Sequence, residues 1–92
     1  MSALAREAAA ALTLLTRDEC SLCEHMYAEL QALRRQHCSL PPLTLLDVDS
    51  DPQLRRRYGL KIPVLLLDGL PVCSGRLDVA ELLRALGRPG GA

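Results

Sequence analysis

Cys20 and Cys23 lie between an apolar run that ends at Thr16 and a stretch whose apolar residues recur at helical spacing from Ser21 onward. That pair, at the junction of an expected strand and an expected helix, constrains the chain more than any other feature. With Cys20 at the mouth of the helix and Cys23 one turn in, both sulfurs fall on the same side of the first turn. A disulfide between them opens and closes with little movement of the fold. The unpaired N–H groups and the dipole of a helix start favour an anion, so the outer sulfur, Cys20, is the expected thiolate and nucleophile, with Cys23 the resolving thiol.

Other uses of such a pair fit less well. Structural zinc requires four ligands, and Cys38, Cys73, His25 and His37 are not paired at ligand spacing, so no metal site is expected. A purely structural disulfide would close so short a loop that its entropic stabilisation would be slight. His25 and His37 read as solvated or partly packed, Cys73 as a small buried hydrophobe and Cys38 as a spectator thiol.

A chain of 92 residues makes one domain with room for a single core, expected over residues 1–92 with flexible ends at 1–10 and 88–92. Apolar residues make up 49% of it, with no Phe or Trp and only Tyr27 and Tyr58, so the core must be aliphatic. The formal charge is zero and the arginines are not interleaved with aromatics, which argues against a nucleic-acid partner. Arg55-Arg56-Arg57 reads as a solvated helix face. Ala8 to Leu15 resembles the apolar part of a secretory signal, but Arg6-Glu7 gives no positive excess and no small-residue cleavage site follows. A cytoplasmic location is expected, where a C-x-x-C is more often catalytic than structural. No run reaches membrane-spanning length, and no membrane partner is expected.

In chain order, Ala11 to Thr16 reads as a strand apolar on both faces, and Ser21 to about Gln36 as a helix with Leu22, Met26, Leu30 and Leu33 inward. Pro41-Pro42 stops it. Leu43 to Val48 is a second strand, parallel to the first through a right-handed crossover. Asp49-Ser50-Asp51-Pro52 signals the start of a short helix that carries Leu54 and Tyr58 inward, with Gly59 expected as a left-handed cap. Ile62-Pro63 opens a third strand, Val64 to Leu67, and Asp68-Gly69 turns tightly into a fourth, Leu70 to Cys73. Asp78 caps a last helix with Val79, Leu82, Leu83 and Leu86 on one face.

The order strand, helix, strand, helix, strand, strand, helix (β-α-β-α-β-β-α) gives an α/β domain, a four-stranded mixed sheet flanked by three helices. Over roughly residues 11 to 87 this pattern resembles the minimal thioredoxin fold, and within it the glutaredoxin-like branch. The resemblance implies that Cys20 attacks and Cys23 resolves. It sets Ile62-Pro63 where the family keeps a cis-proline, with the Ile62 backbone facing a substrate bound as an added strand. It implies that Arg17 lowers the thiol pKa and meets a glutathione carboxylate. Ser74-Gly75-Arg76-Leu77-Asp78 resembles the Gly-Gly-x-x-Asp stretch that holds glutathione, which nominates Gly75 and Asp78. The chain departs from the pattern at Ser21-Leu22, where Pro-Tyr would supply an aromatic contact, and at Ser74, which replaces the first glycine. Glu19 and Glu24 oppose the thiolate that the helix start and Arg17 promote.

The expected function is therefore thiol–disulfide oxidoreduction on protein disulfides or glutathione mixed disulfides. No cofactor is tightly bound, glutathione is the co-substrate, and glutathione or a reductase regenerates the dithiol. Two alternatives from other classes stand beside it: an iron–sulfur cluster or metal carrier using Cys20, and a non-catalytic docking module that recognises an extended peptide at Pro63.

Overall fold

Side chains alternate across a strand, so a strand apolar at successive positions must be covered on both faces. In the computed structural model, which describes residues 10–37 and 39–87, strand β1 (Leu12–Thr16) does this. Leu12 and Leu14 point to one side and Leu15 to the other, all at most 1% exposed. Strand β3 (Val64–Leu67) repeats the pattern, with Leu65 on the first side and Val64 and Leu66 on the second. The four strands lie in the order β2-β1-β3-β4. Strand β2 (Leu43–Asp47) runs parallel to β1, while β3 runs antiparallel to β1 and to β4 (Leu70–Ser74).

Helices close both faces. Helix α1 (Ser21–Gln36) lays Cys23, Met26, Leu30 and Leu33 on the sheet. With Leu82 of α3 (Val79–Ala85), Met26, Leu30 and Leu33 form a cluster with Leu12, Leu14, Leu40 and Leu65. On the opposite face Val48 and Tyr58, from the segment that ends in α2 (Pro52–Tyr58), pack on Leu15, Val64 and Leu66. The expected single core is thus two clusters back to back across the sheet, aliphatic apart from Met26 and Tyr58, and each fully buried leucine contributes about 1.5–3 kcal/mol.

Several local expectations change. Leu22 is 55% exposed, because the buried stripe of α1 begins with Cys23 instead. Val79 is likewise exposed, leaving Leu82 as the buried residue of α3. Val48 leaves the strand for a 3-10 turn (Val48–Ser50) yet stays fully buried. Asp47 accepts the amide of Asp49 at 2.8 Å and Asp51 that of Gln53 at 2.8 Å, so consecutive carboxylates cap the turn and then α2, with Pro52 in its first turn. Gly59 keeps right-handed dihedrals (φ −57°, ψ −29°) and is not the left-handed cap expected. Its glycine is needed for space, since a Cβ there would lie 2.5 Å from the Arg55 carbonyl oxygen.

Asp68 and Gly69 both have positive φ (51° and 86°), the requirement of the two-residue hairpin turn read from the sequence. In β4 the register shifts between the pairs Leu65–Cys73 and Leu66–Pro71. Proline cannot donate to a ladder, and edge strands and bulges are where sheets accommodate it. The flexible ends expected at 1–10 and 88–92 lie outside the described residues apart from Ala10, as does Cys38. Among the described residues no helix is long and apolar enough to cross a membrane.

Candidate active site

The antiparallel register of β1 and β3 sets Leu15 opposite Val64. The loop that leaves β1 toward the cysteines and the Ile62-Pro63 segment that enters β3 therefore meet at one end of the sheet. Glu19 takes a left-handed conformation (φ 57°), rare for a residue with a Cβ and worth about 1 kcal/mol of local strain. Cys20 follows in extended conformation (φ −115°, ψ 102°) as the N-cap of α1. Its Sγ accepts the Cys23 amide at 3.2 Å and is disulfide-bonded to Cys23, with the two Cα atoms 5.2 Å apart. The sulfurs are unequal in access, Cys23 being 3% exposed and Cys20 half-buried.

Pro63 is cis and fully buried, and its carbonyl accepts the Gly75 amide at 2.8 Å. Gly75 has φ +79°, which lets β4 leave the sheet at this point. Two expected site residues are thereby joined. The Ile62 side chain packs on the second core cluster. Asp78 lies at the start of α3, where its carboxylate accepts the Glu81 amide at 3.0 Å, so the side chain is engaged in its own helix cap.

Arg17 is held from three directions. Its Nε and Nη2 donate to the two carboxylate oxygens of Asp49 at 2.8 and 3.0 Å, and Nη1 donates to the Gly59 carbonyl at 3.1 Å. The bond to Arg17, ahead of the Coulombic pull of Arg17 and Arg55, holds the Asp49 carboxyl below the usual carboxylate range despite some loss of hydration. The same bond raises Arg17. Sequence reasoning missed both partners. In the sequence Asp49 reads as part of a helix-start signal and Gly59 as a cap, and nothing in their spacing from Arg17 announces a contact across the fold.

Between this loop and β2 lies an open cleft of about 230 Å3, lined by Arg17, Asp18, Glu19, Cys23, Glu24, Tyr27, Leu45 and Thr16. Tyr27 and Leu45 give it an apolar side, and Cys23 borders it from within. Cys73, the other described cysteine, is a free thiol. Burial pushes it above the ordinary thiol range, against a hydrogen bond to the Asp78 backbone that lowers it, and the charges of Asp78 and Glu81 add to the rise.

The family model described as Glutaredoxin-like domain (DUF836) matches residues 11–87, both cysteines and the cis-proline included. The chain belongs to this glutaredoxin-like family. The solution structure of protein Ne2328 from Nitrosomonas europaea is similar at 28% identity, covering 83% of this chain and 89% of that one with a TM-score of 0.74. The X-ray structure of target protein XcR50 from X. campestris is 31% identical over 83% of this chain and 95% of that one, TM-score 0.58. Thioredoxin 1 from Thermosipho africanus shares the fold at 16% identity, over 85% of this chain and 91% of that one, TM-score 0.53. No curated protein sequence matches the chain. As a glutaredoxin-like chain it has the minimal thioredoxin architecture, with its C-x-x-C at disulfide distance where β1 gives way to α1.

Proposed function

We propose that this protein is a glutaredoxin-like thiol–disulfide oxidoreductase that reduces disulfides of partner proteins, or mixed disulfides of a protein with a small thiol, through Cys20 and Cys23. The observation that carries this reading is the inequality of the two sulfurs: Cys20 is reachable and capped onto the helix start, while Cys23 lies bonded behind it at 3% exposure. In the reduced protein the Cys20 thiolate accepts the Cys23 amide and sits at the positive end of the helix dipole. It attacks one sulfur of the target disulfide, the target's S–S bond breaks, and the departing sulfur leaves as a thiolate and is protonated. Cys23 then loses its proton and attacks Cys20 Sγ, releasing the second target sulfur and closing the Cys20–Cys23 disulfide. Two electrons pass from the dithiol to the target. Two equivalents of a small thiol, or one reductase dithiol, return them.

The Ile62 backbone beside the buried cis-Pro63, tied to Gly75, supplies a fixed edge against which an extended target segment lies. We place this chemistry in a reducing compartment such as the cytoplasm, where the dithiol is regenerated. Among the described residues no three His, Cys, Asp or Glu side chains gather as metal ligands would. The test is turnover of a protein mixed disulfide: Cys20→Ser abolishes it, and Cys23→Ser accumulates a covalent adduct on Cys20 visible by mass spectrometry. Absence of any exchange by the wild type defeats the proposal.

A further inference from the structure

Arg17 is the cation three residues before the nucleophile, and resemblance assigns its charge to a carboxylate of glutathione. Its guanidinium is already bound by Asp49 at two nitrogens and by the Gly59 carbonyl at the third. This is the two-pronged geometry in which arginine recognises a carboxylate, and here the carboxylate belongs to the chain itself. An incoming anion meets a guanidinium whose charge Asp49 already offsets and which has two of its five N–H donors left to give. The other charged side chains of the adjoining cleft are Asp18, Glu19 and Glu24, all exposed, and among the described residues none of them is in an ion pair. With Arg17 and Asp49 cancelling, the rim beside the disulfide is acidic. Of the exposed cations on α2, Arg55 acts on Asp49 from outside the cleft, and neither it nor Arg56 or Arg57 is among the residues that line it.

We propose that Asp49, by holding Arg17, sets the co-substrate selectivity of the Cys20–Cys23 disulfide against anionic thiols such as glutathione and toward neutral or cationic thiols. This rests on the oxidoreductase reading and names its class of electron donor. Reduction takes two thiols. The first attacks Cys20 Sγ, forming a mixed disulfide and releasing Cys23 as a thiolate. The second attacks the small-molecule sulfur of that mixed disulfide, releasing Cys20 and a small symmetric disulfide. Remote charges on the thiol are felt during both attacks. A unit change of charge a few ångströms away in a wet cleft changes the rate about threefold to tenfold, an effect that salt erodes.

The experiment measures anaerobic reduction of the oxidised full chain by glutathione and by cysteamine, quenched with acid and read by mass spectrometry. The intrinsic reactivities of the two thiols cancel when the ratio of their rates is compared between variants. Asp49→Asn, which frees the Arg17 charge, is expected to raise the glutathione-to-cysteamine ratio about threefold to tenfold at low salt. Arg17→Gln, which strands Asp49, lowers it by a similar factor, and the double variant returns it toward wild type. In the wild type, added salt raises the ratio. If Asp49→Asn does not fold, Arg17→Gln and the salt response decide. A ratio unmoved by either substitution, or by salt, overturns the inference while leaving oxidoreduction intact. Failure of every thiol, dithiothreitol included, to reduce the wild type overturns both.

Discussion

The Cys20 sulfur accepts the backbone amide of Cys23 at 3.2 Å, so the atom proposed to do the chemistry is also the N-cap of α1. The two roles separate by substitution. Serine is among the best N-cap residues and alanine among the poorest. Measured by urea unfolding under reducing conditions, Cys20→Ser should stay close to wild type and Cys20→Ala should lose about 1 kcal/mol. Both should lack disulfide-exchange activity.

Arg17 and Asp49 should make stability depend on pH in one direction. The folded-state pKa of Asp49 is depressed by its bond to Arg17, so the contribution is present above the ordinary carboxylate range and is lost as pH falls through the depressed value. Arg17, already cationic and raised further, adds no change on the alkaline side of neutrality. The gap in unfolding midpoint between wild type and Arg17→Gln should therefore be constant around neutral pH and narrow in strong acid. A gap that widens on acidification would contradict the assignment.

Gly75 should be sensitive for its backbone rather than for space. A Cβ there meets nothing within 4 Å, yet its φ of +79° lies where side chains are strained. Gly75→Ala should cost about 1–2 kcal/mol. Gly75→Asn should cost less, since asparagine tolerates the left-handed region. Because the Gly75 amide holds the Pro63 carbonyl, both variants should also raise KM for a peptide disulfide more than they lower kcat.

Cys73 should lag Cys20 in alkylation. Burial raises its pKa first of all, so its thiol stays protonated to higher pH than a free cysteine. In the reduced protein at neutral pH, iodoacetamide should label Cys20 rapidly and Cys73 slowly. The Cys73 rate should climb as pH rises through the shifted range, as peptide-resolved mass spectrometry will show.

Leu82 is the one fully buried residue of the seven-residue helix α3. Leu82→Ala should cost about 2–5 kcal/mol, the usual range for a leucine truncated in a packed core. The same substitution at Leu22, 55% exposed, should cost little. Chemical unfolding of the two variants checks the pair.

Much of this protein is written in short stretches of chain. The Asp51-Pro52 cap, the Asp68-Gly69 turn and the Asp78 cap are local matters of hydrogen bonding and dihedral preference, and each element formed where its residues called for it. Cys20 at the head of a helix is likewise local, because residues 20 and 23 are neighbours on the first turn whatever the rest of the fold does. Tertiary structure decided the rest. Periodicity says that β1 and β3 are buried on both faces, but only the packed sheet sets them antiparallel and side by side, which brings Pro63 to the end of β1 that leads to Cys20. Leu22 has an apolar side chain and helical spacing, and is excluded from the core only because Cys23 takes the inward direction. Arg17 meets Asp49 and Gly59 across 32 and 42 positions of sequence, a separation over which charge and spacing carry no information until the chain has folded. Local chemistry thus determined the Cys20–Cys23 pair, and the fold decided which residues gather around it.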